Sequence, residues 1–188
     1  MKKVTFGVVG IGMMGKMHLT NLVRNPYAEV LAVCARTESK VKAVQEEFHI
    51  PLGYTNVADM VANPDIDAIV VATGADAHKE ACLAACHANK HVFCEKPLAK
   101  TLEDCAEIEQ AAAENTGKFF TVGFMRRFDP SYADAKQKIR AGVIGTPIAF
   151  KGVSLDPASV LPGHLEGVKK GIYVPWFIEM GSHDADLA

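Results

Sequence analysis

Val4-Thr5-Phe6-Gly7-Val8-Val9-Gly10-Ile11-Gly12-Met13-Met14-Gly15 opens the chain as a short apolar run that breaks into a G-x-G-x-x-G turn. The run is the length of a buried strand, and the residues after Gly15 carry helical periodicity to about Arg24, where Asn25-Pro26 ends it. Glycines alone are a weak signal, but a strand before and a helix after supply the setting a dinucleotide fingerprint requires. Gly10 permits the tight turn, Gly12 lets backbone approach a pyrophosphate, and Gly15 lets the helix pack close to the strand. Free N–H groups at the helix N-terminus then face the anion.

Working outward, the same alternation repeats. Glu29 to Ala35 reads as a strand and Glu38 to Phe48 as an amphipathic helix with Val41, Val44 and Phe48 at helical spacing. A short helix near Val57 to Ala62 precedes Ala68-Ile69-Val70-Val71-Ala72, whose unbroken apolar run suits a parallel strand covered on both faces. An Ala-rich helix from about Ala75 to Asn89, the strand His91 to Cys94, a Thr101-capped helix from Leu102 and the strand Phe119 to Val122 complete the series. Alternation this regular implies an α/β fold, a Rossmann doubly wound parallel sheet.

After Gly123 the pattern changes. Pro130 to Ala141 reads as a helix, Pro147 to Val153 as a strand, and Leu155 to Val174 is rich in Gly and Pro with little periodicity. Pro175 to Ala188 reads as a helix without a capping glycine or polar end. The expected organisation is therefore a dinucleotide-binding Rossmann domain over residues 1–123. Residues 124–188 then form the start of an incomplete α+β C-terminal domain, cut off in mid-element.

The 188 residues, 49% hydrophobic, supply one complete core and the beginning of a second. The net charge of -2 is interspersed, and no Lys/Arg run marks a nucleic-acid or membrane surface. No apolar stretch approaches the roughly 20 residues of a membrane span, and Met1-Lys2-Lys3 leads straight into a strand rather than a signal peptide. A small-molecule partner and a cytoplasmic location are expected. Five cysteines lie mostly in apolar segments without Cys-x-x-Cys spacing and read as reduced, buried thiols. His78, Cys82 and Cys86 share a helical face, but two turns of helix spread them over about 12 Å. They cannot converge on one ion, so no metal site is expected.

Two positions bear on the cofactor and the chemistry. The fingerprint expects an acid at the end of the second strand to hold a ribose 2′-hydroxyl, yet that end reads Cys34-Ala35-Arg36-Thr37. Arg36 admits a 2′-phosphate, leaving NAD and NADP both open. Glu95-Lys96-Pro97 follows the strand His91 to Cys94, and a lysine leaving the carboxyl end of a parallel strand points into the ligand crevice.

Together Gly10 to Gly15, Thr73, Glu95-Lys96-Pro97, Met125-Arg126-Arg127-Phe128-Asp129-Pro130 and Gly181-Ser182-His183-Asp184 resemble the glucose-fructose oxidoreductase and inositol dehydrogenase (Gfo/Idh/MocA) family. The resemblance covers essentially the whole chain and is nearest to the inositol 2-dehydrogenase branch. It implies hydride transfer between NAD(P) and a polyol, cyclitol or sugar, and a homo-oligomer where the C-terminal sheet is complete. It also implies a catalytic lysine at Lys96, a catalytic histidine at His183, and Glu179 where the family has an aspartate. Cofactor contacts are expected at Gly10, Gly12, Met13, Met14, Gly15, Ala35, Arg36, Thr73, His78, Glu95, Lys96 and Arg126. A histidine suits the proton transfer at neutral pH, and an ammonium suits stabilisation of a developing alkoxide.

Overall fold

A computed structural model of the chain describes residues 2–188. Its contacts divide it into two units, one ending at Val122 and the other spanning Gly123–Ala188.

The first unit is a six-stranded, wholly parallel sheet. In chain order its elements are β1 (Val4–Val9), α1 (Met13–Arg24), β2 (Ala28–Cys34), α2 (Glu38–Phe48), β3 (Leu52–Tyr54), α3 (Val57–Val61) and β4 (Ala68–Val71). They continue with α4 (His78–His87), β5 (His91–Cys94), α5 (Leu102–Glu114) and β6 (Phe120–Val122). The strands lie in the order β3-β2-β1-β4-β5-β6, so the winding reverses between β1 and β4. That reversal opens a crevice at the carboxyl ends of the strands, the place where doubly wound sheets bind ligands.

Side-chain alternation on the strands builds a core on each face. Val8, Val33 and Val70 pack with Leu19 of α1 and Val41 and Val44 of α2. Their neighbours Val9, Cys34, Ile69 and Val71 point the other way, onto Met60 of α3, Ala81, Cys82 and Ala85 of α4, and Ile108 of α5. Successive residues of a strand face opposite sides, which is why an unbroken Val/Ile run is stable only when both faces are covered. The five cysteines are free thiols. Cys82, Cys86 and His78 are buried on the inner face of α4, so their shared stripe is packing rather than a coordination site. Cys94 is held well above the usual thiol range by its hydrogen bond with Cys82 and by burial. Burial pushes Cys34 and Cys86 up to about 11.

β3 was not anticipated. It is only three residues long, and Gly53 lies where a Cβ would meet Val41 and Gln45 of α2, so close packing rather than apolar content selects its sequence.

The second unit contains a 3-10 turn (Met125–Phe128), α6 (Pro130–Arg140), a second 3-10 turn (Ala158–Val160), α7 (Leu161–Lys169) and α8 (Trp176–Leu187). Asp129 caps α6 by accepting from the Ser131 and Tyr132 amides, with Pro130 in the first turn. The expected strand over 147–153 is not formed among the described residues. Ile148 and Phe150 carry a strand pattern, but no ladder partner is paired with them, and Ile148 is 98% exposed. Helix α7 lay hidden in the Gly/Pro-rich stretch. Pro162 falls in its first turn, where proline is tolerated, and a Cβ at Gly167 would stand 2.1 Å from the Tyr173 ring. Among the described residues no helix is long and apolar enough to cross a membrane.

Candidate active site

Three chain crossings at the carboxyl edge of the sheet build the first part of the site. β1 ends at Gly10, which holds φ +88° with its Cα so close to β4 that a Cβ would lie 2.6 Å from the Ala72 carbonyl and the Thr73 nitrogen. Only glycine fits there. At Gly15 a Cβ would stand 1.9 Å from the Gly10 carbonyl oxygen, so helix α1 is seated directly on the turn. Gly12 differs from both: a Cβ there would meet nothing within 4 Å, which leaves a backbone cradle open at the crevice.

Helix α1 starts at Met13 with Gly12 as its cap and no acidic residue in its first turn. Its ladder begins with the Lys16 amide donating to the Gly12 carbonyl, so the amides of Met13, Met14 and Gly15 stand ahead of it. An open glycine cradle, three amides at a helix N-terminus and no competing carboxylate fit a dinucleotide pyrophosphate. The end of β2 carries the expected sequence: the Ala35 amide donates to the Tyr54 carbonyl, Arg36 is exposed, and nearby Glu38 is paired with Lys42 at 2.7 Å.

Just past β4 stands Thr73, whose buried hydroxyl has no hydrogen-bond partner among the described residues. An orphaned buried hydroxyl is uncommon, and at the crevice it marks a place for a ligand polar group. His78 is the first residue of α4, 1% exposed, with Nδ1 2.9 Å from the Pro97 carbonyl and Nε2 3.1 Å from the Thr73 carbonyl. Both carbonyls accept and a neutral imidazole carries one N–H, so the ring donates to one of the two at a time.

β5 delivers Glu95-Lys96-Pro97, with a cis peptide between Lys96 and Pro97. Glu95 is buried. Its Oε1 lies 2.7 Å from Nε2 of His18 on α1, and its Oε2 accepts from the Lys96 amide at 3.2 Å. The sequence reading missed His18, three residues beyond Gly15 in α1. A polar ring beside buried Leu19 is the signal the sequence offers for it.

The second unit carries the remaining candidates. Glu179 and His183 lie four residues apart on α8 and so share a helix face. His183 is buried, with the Phe124 ring edge-on at 6.3 Å. Within this unit, Arg126 donates from Nη1 to Asp184 at 2.8 Å and from Nη2 to the Ser154 hydroxyl at 2.9 Å. Ser154 in turn donates to Asp184 at 2.9 Å, and its hydrogen bond with the help of Arg126 holds that carboxyl below the usual carboxylate range. Arg127 grips Asp186 through its Nε at 2.8 Å. Two arginines therefore hold α8, and with it His183, from the 3-10 turn. Ser154 and Asp184 could not be read as their partners, because the pairings span about thirty and sixty residues of chain.

A Rossmann sheet with an open glycine turn at the mouth of β1 is the architecture of a dinucleotide-binding domain. Residues 4–124 match the model of the Gfo/Idh/MocA oxidoreductase family, described as having an NAD-binding Rossmann fold. The chain belongs to this family. It is 35% identical over 190 residues to scyllo-inositol 2-dehydrogenase (NAD(+)) of Bacillus subtilis, covering 99% of this chain and 53% of that one. It is 35% identical over 156 residues to inositol 2-dehydrogenase of Salmonella typhimurium, covering 82% of this chain and 46% of that one. Among solved structures, scyllo-inositol dehydrogenase of Lactobacillus casei with bound NAD(H) and scyllo-inositol superposes with a TM-score of 0.91 at 31% identity. That match takes in 99% of this chain and 55% of the other. The chain thus spans about half the length of the relatives it matches.

Proposed function

We propose that the protein transfers hydride between a cyclitol, polyol or sugar hydroxyl and a nicotinamide dinucleotide. The observation that carries this reading is the placement of Lys96 at the carboxyl end of β5, beside the strand that leads to the orphaned Thr73 hydroxyl and the glycine turn of β1. Relatives named as inositol dehydrogenases support the substrate class.

The dinucleotide, when bound, supplies the hydride acceptor for oxidation or the donor for reduction. Gly12 and the amides of Met13, Met14 and Gly15 hold its pyrophosphate. Lys96 donates a hydrogen bond to the reacting oxygen, orienting it and stabilising negative charge as the proton leaves. His183 takes that proton as the general base and returns it in the reverse direction. Glu179, on the same face of α8, orients the imidazole or a substrate hydroxyl. At the ribose end exposed Arg36 supports acceptance of NADP beside NAD, because a guanidinium pairs with a 2′-phosphate where no carboxylate selects the hydroxyl. Five free thiols suit a reducing compartment, and we place the protein in the cytoplasm.

The test is NAD(P)H formation on a panel of cyclitols, polyols and aldoses, with Lys96→Met and His183→Gln as paired variants. Each variant should lower turnover by about 10²–10⁴-fold, the size of an acid–base or oxyanion contribution, while leaving NADH affinity within a few-fold. A second reading, dinucleotide binding without turnover, draws on Glu179, whose extra methylene changes the reach toward His183. Tight NADH binding with no product on any substrate would select it.

A further inference from the structure

We propose that His18 and His78 act as positioning residues that fix Lys96 from both flanks, and that His18 couples this setting to occupancy of the dinucleotide site. The proposal rests on the assignment of Lys96 and of the glycine turn given above. On the N-terminal flank, the Glu95 amide closes the ladder onto the Val71 carbonyl at 2.9 Å, which leaves its side chain to aim away from the sheet. One carboxylate oxygen holds His18 at 2.7 Å and the other receives the Lys96 amide at 3.2 Å. A carboxylate only accepts, so Nε2 of His18 carries the proton in this contact. The Phe93 ring packs against the His18 ring with centroids 5.1 Å apart, which limits its rotation.

On the other flank, the carbonyl of Pro97 lies 2.9 Å from Nδ1 of His78 and accepts its N–H in that tautomer. The loop after β5 is thereby held to the first residue of α4, whose Nε2 lies 3.1 Å from the Thr73 carbonyl of the loop after β4. Lys96 lies between these two anchors, and neither histidine has another function in the proposed chemistry.

His18 stands on the second turn of α1, the helix whose first-turn amides face the cofactor. A displacement of that helix on taking up a pyrophosphate reaches the Glu95 carboxylate through one charge-assisted hydrogen bond, and from there the Lys96 amide. Hydrogen bonds of this kind are sensitive to geometry, because a short N–H···O bond to a carboxylate weakens steeply as it bends.

The experiment is amide hydrogen exchange on the full chain, free and with NADH, for the wild type, His18→Ala, His18→Gln, His78→Ala and Glu95→Gln. In the free protein, His18→Ala and His78→Ala should each raise exchange at Lys96 and Leu98 by about tenfold, the loss of one hydrogen bond's protection. Core amides at Val8, Val33 and Val70 should keep their rates. His18→Gln, which can still donate to Glu95, should restore most of the protection, and Glu95→Gln, which keeps an acceptor without the charge, should fall between. NADH should slow exchange at Lys96 in the wild type but not in His18→Ala, although NADH affinity stays within a few-fold. Unchanged exchange at Lys96 in both alanine variants, or an equal rise throughout the core, would overturn the clamp. Equal protection by NADH with and without His18 would overturn the coupling. A wild type that does not bind NADH would overturn the coupling and the cofactor assignment together, while the exchange rates of the free proteins still decide the clamp.

Discussion

Two glycines three residues apart, Gly12 and Gly15, should respond to the same methyl group in opposite ways. At Gly15 a Cβ would stand 1.9 Å from the Gly10 carbonyl oxygen and 2.8 Å from its carbon. Both belong to backbone that is itself fixed at φ +88° and pressed against β4, so neither partner can swing aside. Forcing one methylene into a packed site costs about 1–3 kcal/mol, and a contact with immobile backbone belongs at the upper end of that range. With a urea m-value of about 2 kcal/mol/M, a loss of about 3 kcal/mol lowers the unfolding midpoint by about 1.5 M. At Gly12 the added Cβ meets nothing within 4 Å and φ is -73°, a value open to alanine. The entropy gained from the unfolded chain is about 0.4–1 kcal/mol, which roughly offsets the weaker helix cap that alanine makes. Gly12→Ala should therefore unfold within about 0.3 M of the wild type while binding NADH at least about a hundredfold more weakly, a loss of about 2.7 kcal/mol. Urea unfolding by circular dichroism and NADH fluorescence titration measure both quantities. Normal NADH affinity in Gly12→Ala would refute the assignment of this turn to the pyrophosphate, and an unchanged midpoint in Gly15→Ala would refute the packing argument.

Three further outcomes follow from particular contacts. Arg36→Ala should weaken NADP binding by about tenfold, the scale of one exposed charge-assisted contact, and leave NAD unchanged; equal effects on the two would remove the phosphate role. The Asp184 carboxyl is held low by Ser154 and Arg126, so its contribution is present above the unfolded carboxylate value near about 4 and is lost as pH falls through the lower folded value. Fluorescence of Trp176, the only tryptophan and the first residue of α8, should accordingly change in acid below about pH 4, and a flat signal there would count against this anchor. Lys90, a buried ammonium, donates to the carbonyls of Asn63 and Ile66 at 2.8 and 2.7 Å. Lys90→Met should cost about 2–3 kcal/mol in urea unfolding, since both carbonyls lose a charged donor, and a loss below about 0.5 kcal/mol would show that water replaces it.

The Rossmann unit was legible because each of its signals is local. A buried parallel strand must be apolar on both faces, so Ala68 to Ala72 and Val4 to Val9 announce themselves without knowledge of their neighbours. The Glu95-Lys96-Pro97 stretch likewise lies at a strand end that periodicity alone fixes. What stayed hidden depends on partners distant in sequence. Nothing around His18 reveals that Glu95, 77 residues on, will accept its hydrogen bond. Nothing around Arg126 reveals that its guanidinium will bond Ser154 and Asp184, which the fold brings to it from 28 and 58 residues away. The apolar alternation at Ile148 and Phe150 misled for the opposite reason. It is a property of the segment alone, whereas a strand requires a second strand to bond with.

The order of strands explains why residues at positions 10–15, 73 and 95–97 meet at all. Parallel strands all end at the same edge, and the β1–β4–β5 adjacency sets their following loops side by side. Loops, however, are the least constrained backbone in a domain, and catalysis demands that a lysine hold its place to within fractions of an ångström. The sheet supplies adjacency but not that precision. Here it comes from polar side chains carried on helices, His18 on α1 and His78 on α4, which reach back over the strand ends to hold the Glu95 carboxylate and the Pro97 carbonyl. Buried polar groups of this sort stabilise little in net terms, because they give up water to make their bonds. Their value lies in uniqueness, since any other arrangement of the loop would leave Glu95 or the Pro97 carbonyl buried without a partner. If that account holds, loss of either histidine should disturb the Lys96 loop well before it disturbs the stability of the sheet.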